Sequence, residues 1–229
     1  MGWFHFKGKD SRDFGILISA APEKVRAERR VDYVTILGRN GELTVDEGTY
    51  APYVLSVECG TRGSENLDEI LAWLNGAGDL ILCTEPDKVL RASIYNKISV
   101  ADMIYLYNSF LLQFRVQPFK YSVNAAGDAL ELTAPTTIRN SGTVYSEPLI
   151  TVYGSGDITL TINGADFPLY GVQESITIDS EMMEVFKGNA NQNGKYGGAE
   201  FPRFEVGKNE ISWTGNVSKI KIQPRWRWL

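Results

Sequence analysis

At 229 residues, with 43% hydrophobic and 22% charged side chains, the chain is long enough for one large or two ordinary globular domains with a buried core. Its net charge of -5 argues against a broad attraction to nucleic acid or to an anionic membrane surface. No apolar run approaches the roughly 18 to 20 residues of a membrane span, so neither nucleic acid nor membrane is an expected partner.

The opening stretch, MGWFHFKGKDSRDFG, has no apolar core segment and no small-residue cleavage pattern, so it is not read as a secretory signal. Phe6 stands where a myristoylation signal needs Ser or Thr. Residues 1–60 read as strands: Phe4 and Phe6 alternate with His5 and Lys7, and the chain turns at Gly8–Ser11 into Phe14, Ile16 and Ile18. The charged run EKVRAERR (23–30) predicts a solvated loop. VDYVTIL and ELTVDEG flank Gly38-Arg39-Asn40-Gly41, a hairpin signal, and VLSVEC supplies a further strand.

A helix is predicted over 66–75, where Leu67, Ile70, Leu71 and Leu74 mark one face at helical spacing and Trp73 widens it. Asn66 with Glu69 suits a capping box, and Gly76 suits a left-handed C-terminal cap. Such an apolar face has to lie against a sheet, which makes these residues core. LILCTE and LRASIYNKISV then read as strands joined through Pro86-Asp87. The aromatic run 103–116 reads as a strand ending at Pro118, although its length would also suit a helix.

Small and polar residues gather in SVNAAGDALELTAPTT (122–137), the predicted joint between domains 1–135 and 138–229. Beyond it, Ile158, Leu160 and Ile162 alternate with polar residues up to Asn163-Gly164, a dipeptide suited to a tight hairpin. Phe167 and Leu169, then Ile176 and Ile178, resume the two-residue period. Gly154 and Gly156 are read as a break, and Gly215-Asn216 as a turn between Ile211/Trp213 and Ile220/Ile222. The strand spacing is that of a β-sandwich.

Chemistry-bearing patterns are sparse. His5 is the single histidine, which removes any metal site built from several imidazoles and leaves a Ser-His-Asp triad dependent on one residue; an edge or surface role is the plainer account. Cys59 and Cys83 lie in apolar runs without zinc spacing and read as free thiols, with a disulfide as the alternative. The loop GNANQNGKYGG (188–198) departs from a phosphate loop: five residues separate Gly188 from Gly194, and Tyr196 follows Lys195 where a hydroxyl is needed for magnesium. Asp157, Asp166, Glu174, Asp179, Glu181 and Glu184 could supply a pair of glycosidase carboxylates, but acids are common on the wet faces of β-sandwiches and nothing in their spacing selects two. In PRWRWL, strand alternation would put Trp226 and Trp228 on one face and Arg225 and Arg227 on the other. Burial at a contact is preferred for these tryptophans, with a sugar-stacking platform as the alternative. No catalytic, cofactor-binding or metal residue is assigned.

Several ordered motifs carry a resemblance. FHFKGKDSRDFGILI, ILAWLNGAGDL with RASIYNKI, the block from Gly142 to Glu181 containing GSGDI and ING, and the closing GKNEISWTG and PRW are similar to segments of the distal tail proteins of long-tailed phages infecting Gram-positive bacteria. The resemblance implies a mainly β protein: an N-terminal, β-barrel-like, ring-forming domain with one helix, followed by a galectin-like β-sandwich. It also implies a non-enzymatic hexameric hub at the tail tip of a virion assembled in the host cytoplasm. Its implied partners are the tail tube protein, a tail-associated hub protein or lysin, and receptor-binding proteins. The rival class is a lectin-like host-recognition module. Galectin fold alone does not carry sugar binding.

Overall fold

The computed structural model describes residues 2–61, 67–98, 109–124 and 127–229. The chain divides into two compact units, residues 1–123 with Leu229, and residues 124–228.

In the first unit the strands are β1 (Phe4–Phe6), β2 (Lys9–Asp10), β3 (Ile16–Ile18), β4 (Arg29–Thr35), β5 (Glu42–Tyr50), β6 (Tyr53–Thr61), β7 (Ala77–Leu82), β8 (Lys88–Ile94) and β9 (Ser109–Ser122). An antiparallel sheet runs β2-β1-β7-β8-β9-β6-β3. It curls until Gly2 and Ile18 exchange backbone hydrogen bonds of 3.3 and 2.9 Å, which brings β3 round to the start of β1. Glycine fits there because a Cβ would stand 2.9 Å from Cys83 Sγ. Alternate residues point inward: Phe4, Phe6, Leu55, Val57, Cys59, Leu112, Phe114 and Val116 fill one core.

Helix α1 (Leu67–Trp73) closes that core with Ile70, Trp73 and the following Leu74, all buried. Trp73 stacks on Phe4 and Phe14 at 5.6 and 4.4 Å, and its indole N–H donates to the Phe6 carbonyl at 2.8 Å. The polar end of a large apolar ring is thus satisfied inside the core. Gly76 ends the segment with φ 75°, as its position predicts. The cap expected from Asn66 lies outside the described residues.

Strand β9 does not stop at Pro118. Val116 faces Ala92 but Lys120 faces Leu90, so β9 carries two extra residues there. Pro118 sits in that bulge, where the register with β8 is interrupted, and β6 has already ended its pairing at Tyr53–Val116. The part of this run before residue 109 lies outside the described residues. The charged run 23–30 is also less of a loop than its composition predicts: Arg29 and Arg30 open β4, where Arg29 binds Asp46 at 2.7 Å, and Ala27 is buried. As expected, β4 and β5 form a hairpin about Gly38 and Gly41, both at φ 81°. They pair with each other and form a separate two-stranded sheet, an arm on the first unit.

The second unit contains β10 (Leu130–Leu132), β11 (Thr136–Asn140), β12 (Leu149–Ile162), β13 (Ala165–Val172), β14 (Ser175–Asp179), β15 (Glu184–Lys187), β16 (Ala190–Asn191) and β17 (Gly207–Gln223). The polar stretch 122–137 therefore holds β10 and the start of β11, both paired to β17. Strands β12 and β17 run antiparallel and serve both layers of the sandwich. Residues 149–153 of β12 lie between β14 and the end of β17, whereas 158–162 lie between β13 and the beginning of β17. Ile150, Val152, Ile158, Leu160, Ile162, Ile178, Ile211 and Ile220 from both halves meet in one core.

The crease lies at glycines. Gly156 and Gly215 take φ 79° and 98°, and a Cβ on Gly154 would come 2.2 Å from the Asn216 carbonyl. The break expected at Gly154 and Gly156, and the turn expected at Gly215-Asn216, are instead bulges inside continuous strands. Glycine lets two strands bend together while the ladder continues on either side. The Asn163-Gly164 hairpin turn is as read from the sequence, with φ 51° and 81°.

Candidate functional site

The residues singled out for chemistry serve the fold. His5 lies on β1 with Nε2 2.8 Å from Asp10 Oδ2, and its ring lies 4.8 Å from that of Trp3. Arg12 donates from Nε to both Asp10 oxygens at 3.0 Å and lies over Trp3 at 5.1 Å. That guanidinium holds the Asp10 carboxyl far below the usual carboxylate range, against the opposing effect of burial. Ser11 is fully buried, and its hydroxyl accepts the Phe4 amide at 3.1 Å. This serine, histidine and aspartate cap a turn, with no exposed nucleophile.

Both cysteines are free; Cys59 is buried and Cys83 half-buried. Burial pushes the Cys59 thiol up to about 12, so it is neither a nucleophile nor a ready metal ligand. In the loop 188–198, Lys195 donates to the Gly171 carbonyl at 3.0 Å, and Asn193 accepts the Val185 amide at 2.6 Å. The lysine that a phosphate would need is tied to backbone.

Asp157, Asp166 and Glu174 are separately engaged, whereas Asp179 and Glu181 meet on one arginine. Asp157 accepts the Gly171 amide at 2.8 Å, Asp166 accepts the Thr161 hydroxyl at 2.7 Å, and Glu174 pairs with Lys187 at 2.8 Å. Glu184 is exposed on β15, opposite Asp179. Asp179 is itself buried, unlike the wet-face position expected of it, and takes a two-pronged bond from Arg225 at 2.6 and 2.9 Å. Glu181 meets the same guanidinium at 3.3 Å. Burial alone would raise the Asp179 carboxyl. Arg225 and the amides of Met182 and Glu181 outweigh it, so the group lies below its ordinary value.

The C-terminal run is a strap across the sandwich. Trp226 is buried against Phe204, ring to ring at 5.9 Å, and Trp228 is partly buried against the same core. Simple strand alternation does not arrange them, because Arg225 takes φ 53°. Arg227 is buried and donates to the Tyr145 carbonyl at 3.0 Å and to Glu147 at 2.8 Å. The Tyr145 ring in turn contacts the guanidinium groups of Arg203 and Arg227 at 4.8 and 4.6 Å. These arginines pair within their own unit, and Trp226 is packed as core, not offered as a sugar platform.

Sequence reading missed the buried pair Arg227–Glu147, which joins residues 80 positions apart and leaves no local pattern. It also missed that the arm is apolar on one side. The signal was present in the alternation of VDYVTI and ELTV. Across the hairpin Val34 faces Leu43 and Asp32 faces Val45, so these side chains share a face.

No protein-family pattern matches the chain, and no curated protein matches it. Among solved structures it is similar to the Dit protein (gp 19.1) of phage SPP1, described as a paradigm of the hub adsorption apparatus in phages infecting Gram-positive bacteria. The superposition gives a TM-score of 0.75 at 14% identity and covers 97% of this chain and 98% of that one. At that identity the likeness is one of fold, and it extends over both units. The chain has the fold of a phage distal tail protein.

Proposed function

We propose that this protein is a structural component of the tail tip of a long-tailed phage or prophage of a Gram-positive host. In this reading six copies close into a ring that joins the tail tube to a tail-associated hub protein and supports receptor-binding proteins. It is assembled in the host cytoplasm and resides in the virion, with no catalytic role. The observation that carries the reading is the near full-length likeness of fold, which includes both units instead of a sandwich alone. A preference of homo-oligomers for closed symmetry supports a ring. Native mass spectrometry tests it: the expected mass is near six times the 25.5 kDa chain. A strictly monomeric mass at the highest soluble concentration counts against a self-closing ring.

A further inference from the structure

We infer that Asn40, in the turn of the β4–β5 hairpin, is a site of spontaneous covalent modification, where the Asn40-Gly41 unit rearranges through a cyclic imide to aspartate and isoaspartate. The inference rests on the chemistry of the Asn-Gly pair and on how the fold holds each occurrence of it. It stands apart from the ring reading.

The reaction needs only water and base. The Gly41 amide nitrogen, once it has lost its proton, attacks Cγ of Asn40. The N–Cγ bond forms, the Cγ–Nδ2 bond breaks, and the leaving nitrogen takes a proton from water to depart as ammonia. Water then opens the imide at either carbonyl. Opening at Cγ gives aspartate; opening at the main-chain carbonyl gives isoaspartate, whose main chain runs through the side-chain carbons. Glycine favours the attack because no Cβ crowds the nitrogen. Closure also requires the asparagine side chain to swing onto the next amide. Hydrogen bonds that hold either group resist it and must first open.

Asn-Gly occurs four times, at 40–41, 75–76, 163–164 and 193–194. Asn163 is clamped at both ends of its side chain: Nδ2 donates to Asn209 Oδ1 at 2.8 Å, and Oδ1 accepts the Glu210 amide at 2.9 Å. Asn193 Oδ1 accepts the Val185 amide at 2.6 Å, and its carbonyl accepts the Tyr196 amide at 3.1 Å. The Asn75 side chain is exposed, but the backbone around it is tied. Its carbonyl accepts Lys7 Nζ at 3.1 Å, and the Gly76 carbonyl accepts the Ile94 amide at 3.1 Å. Asn40 has no such restraint. Thr35–Glu42 is the last pair of the hairpin, so 40–41 lie beyond its ladder. Asn40 is exposed, and neither Asn40 nor Gly41 has a hydrogen bond among the described residues. Nothing lies within 4 Å of the Cβ that Gly41 lacks, so the approach to its nitrogen is open. The change is one-way. It puts a carboxylate into an uncharged position of the turn, and isoaspartate adds a methylene to the main chain just before the register set by Thr35–Glu42.

The test uses the full chain, held in mildly alkaline buffer either native or unfolded in guanidinium chloride. Samples taken over days are quenched and digested in acid, and chromatography with mass spectrometry resolves the asparagine, aspartate and isoaspartate forms of each fragment. In the native chain the Asn40 fragment should convert first, about tenfold or more faster than those of Asn163 and Asn193, with Asn75 between. In the unfolded chain, where the clamps are gone, the four rates should come within a few-fold of one another. Asn40→Gln, whose longer side chain must close a larger ring, should remove the early acidic species seen on ion exchange and keep the wild-type circular dichroism. Native conversion of Asn163 or Asn193 as fast as that of Asn40 overturns the role given to the fold. A native Asn40 fragment that stays unchanged while the unfolded chain converts overturns the site itself.

Discussion

Arg225 holds a left-handed backbone, φ 53°, which for a residue with a side chain costs about 1–3 kcal/mol. The two-pronged bond to Asp179 keeps it there. Because the folded Asp179 carboxyl lies below its unfolded value near 4, its contribution is complete above that value. It is lost as pH falls through the folded value. Asp179→Asn should therefore cost about 1–3 kcal/mol at neutral pH, since a largely buried cation loses its two-pronged partner and keeps Glu181. The difference between the melts of variant and wild type should begin to narrow below about pH 4 and close only below the folded value; a constant difference down to strong acid would contradict the pairing. Trp226→Ala should cost about 3–5 kcal/mol by leaving a cavity beside Phe204. A sugar platform would show the reverse: an unchanged melting temperature and a lost glycan signal. In native thiol labelling, Cys83 should react before Cys59, whose thiol is both buried and hard to ionise.

Among the elements, the glycine crease decides the sandwich. A side chain at Gly215 would require a strained φ of 98° and would bring Cβ to 2.5 Å from the Asp157 carbonyl, which cannot move without breaking β12. Gly215→Ala should cost roughly 2 kcal/mol or more. Gly194, with ordinary φ and open space around its missing Cβ, is the control, and its replacement by Ala should stay within about 0.5 kcal/mol. Equal effects in urea melts would show that the crease does not depend on glycine. The same reasoning separates β9 from a broken strand: Pro118 is tolerated because the bulge already interrupts the ladder.

At the scale of the whole molecule we propose that the halves 1–135 and 138–229 fold separately, with ring formation confined to the first. Expressed alone, 138–229 should be a soluble β-rich monomer, since Ile150, Val152, Ile158, Leu160 and Ile178 and their neighbours make a core of their own. Adding residues 124–137 restores β10, in which Leu130 and Leu132 face Ile222 and Ile220, and should raise the melting temperature. Collapsed amide spectra for 138–229, or a ring formed by it, would refute the division.

Local pattern was enough for the elements whose causes are local. Strand alternation at Phe4/Phe6 and Ile158/Leu160/Ile162, the α1 face with its Gly76 end, and the Asn163-Gly164 turn all follow from side-chain period and the φ that glycine or asparagine allows. Mainly β architecture was legible for the same reason. Tertiary structure alone decided what a residue does when its partner is far away in sequence. Gly154 and Gly215 read as punctuation until their strands lie side by side; only then does close approach of backbone to backbone explain them. Asp179 read as a wet-face acid until Arg225, 46 positions later, came to hold it buried. Exposure is also a tertiary quantity, so the alternation in β4 and β5 could announce an amphipathic hairpin but not that its apolar face stands uncovered. A sequence states which faces prefer burial; the folded chain decides which of them are buried.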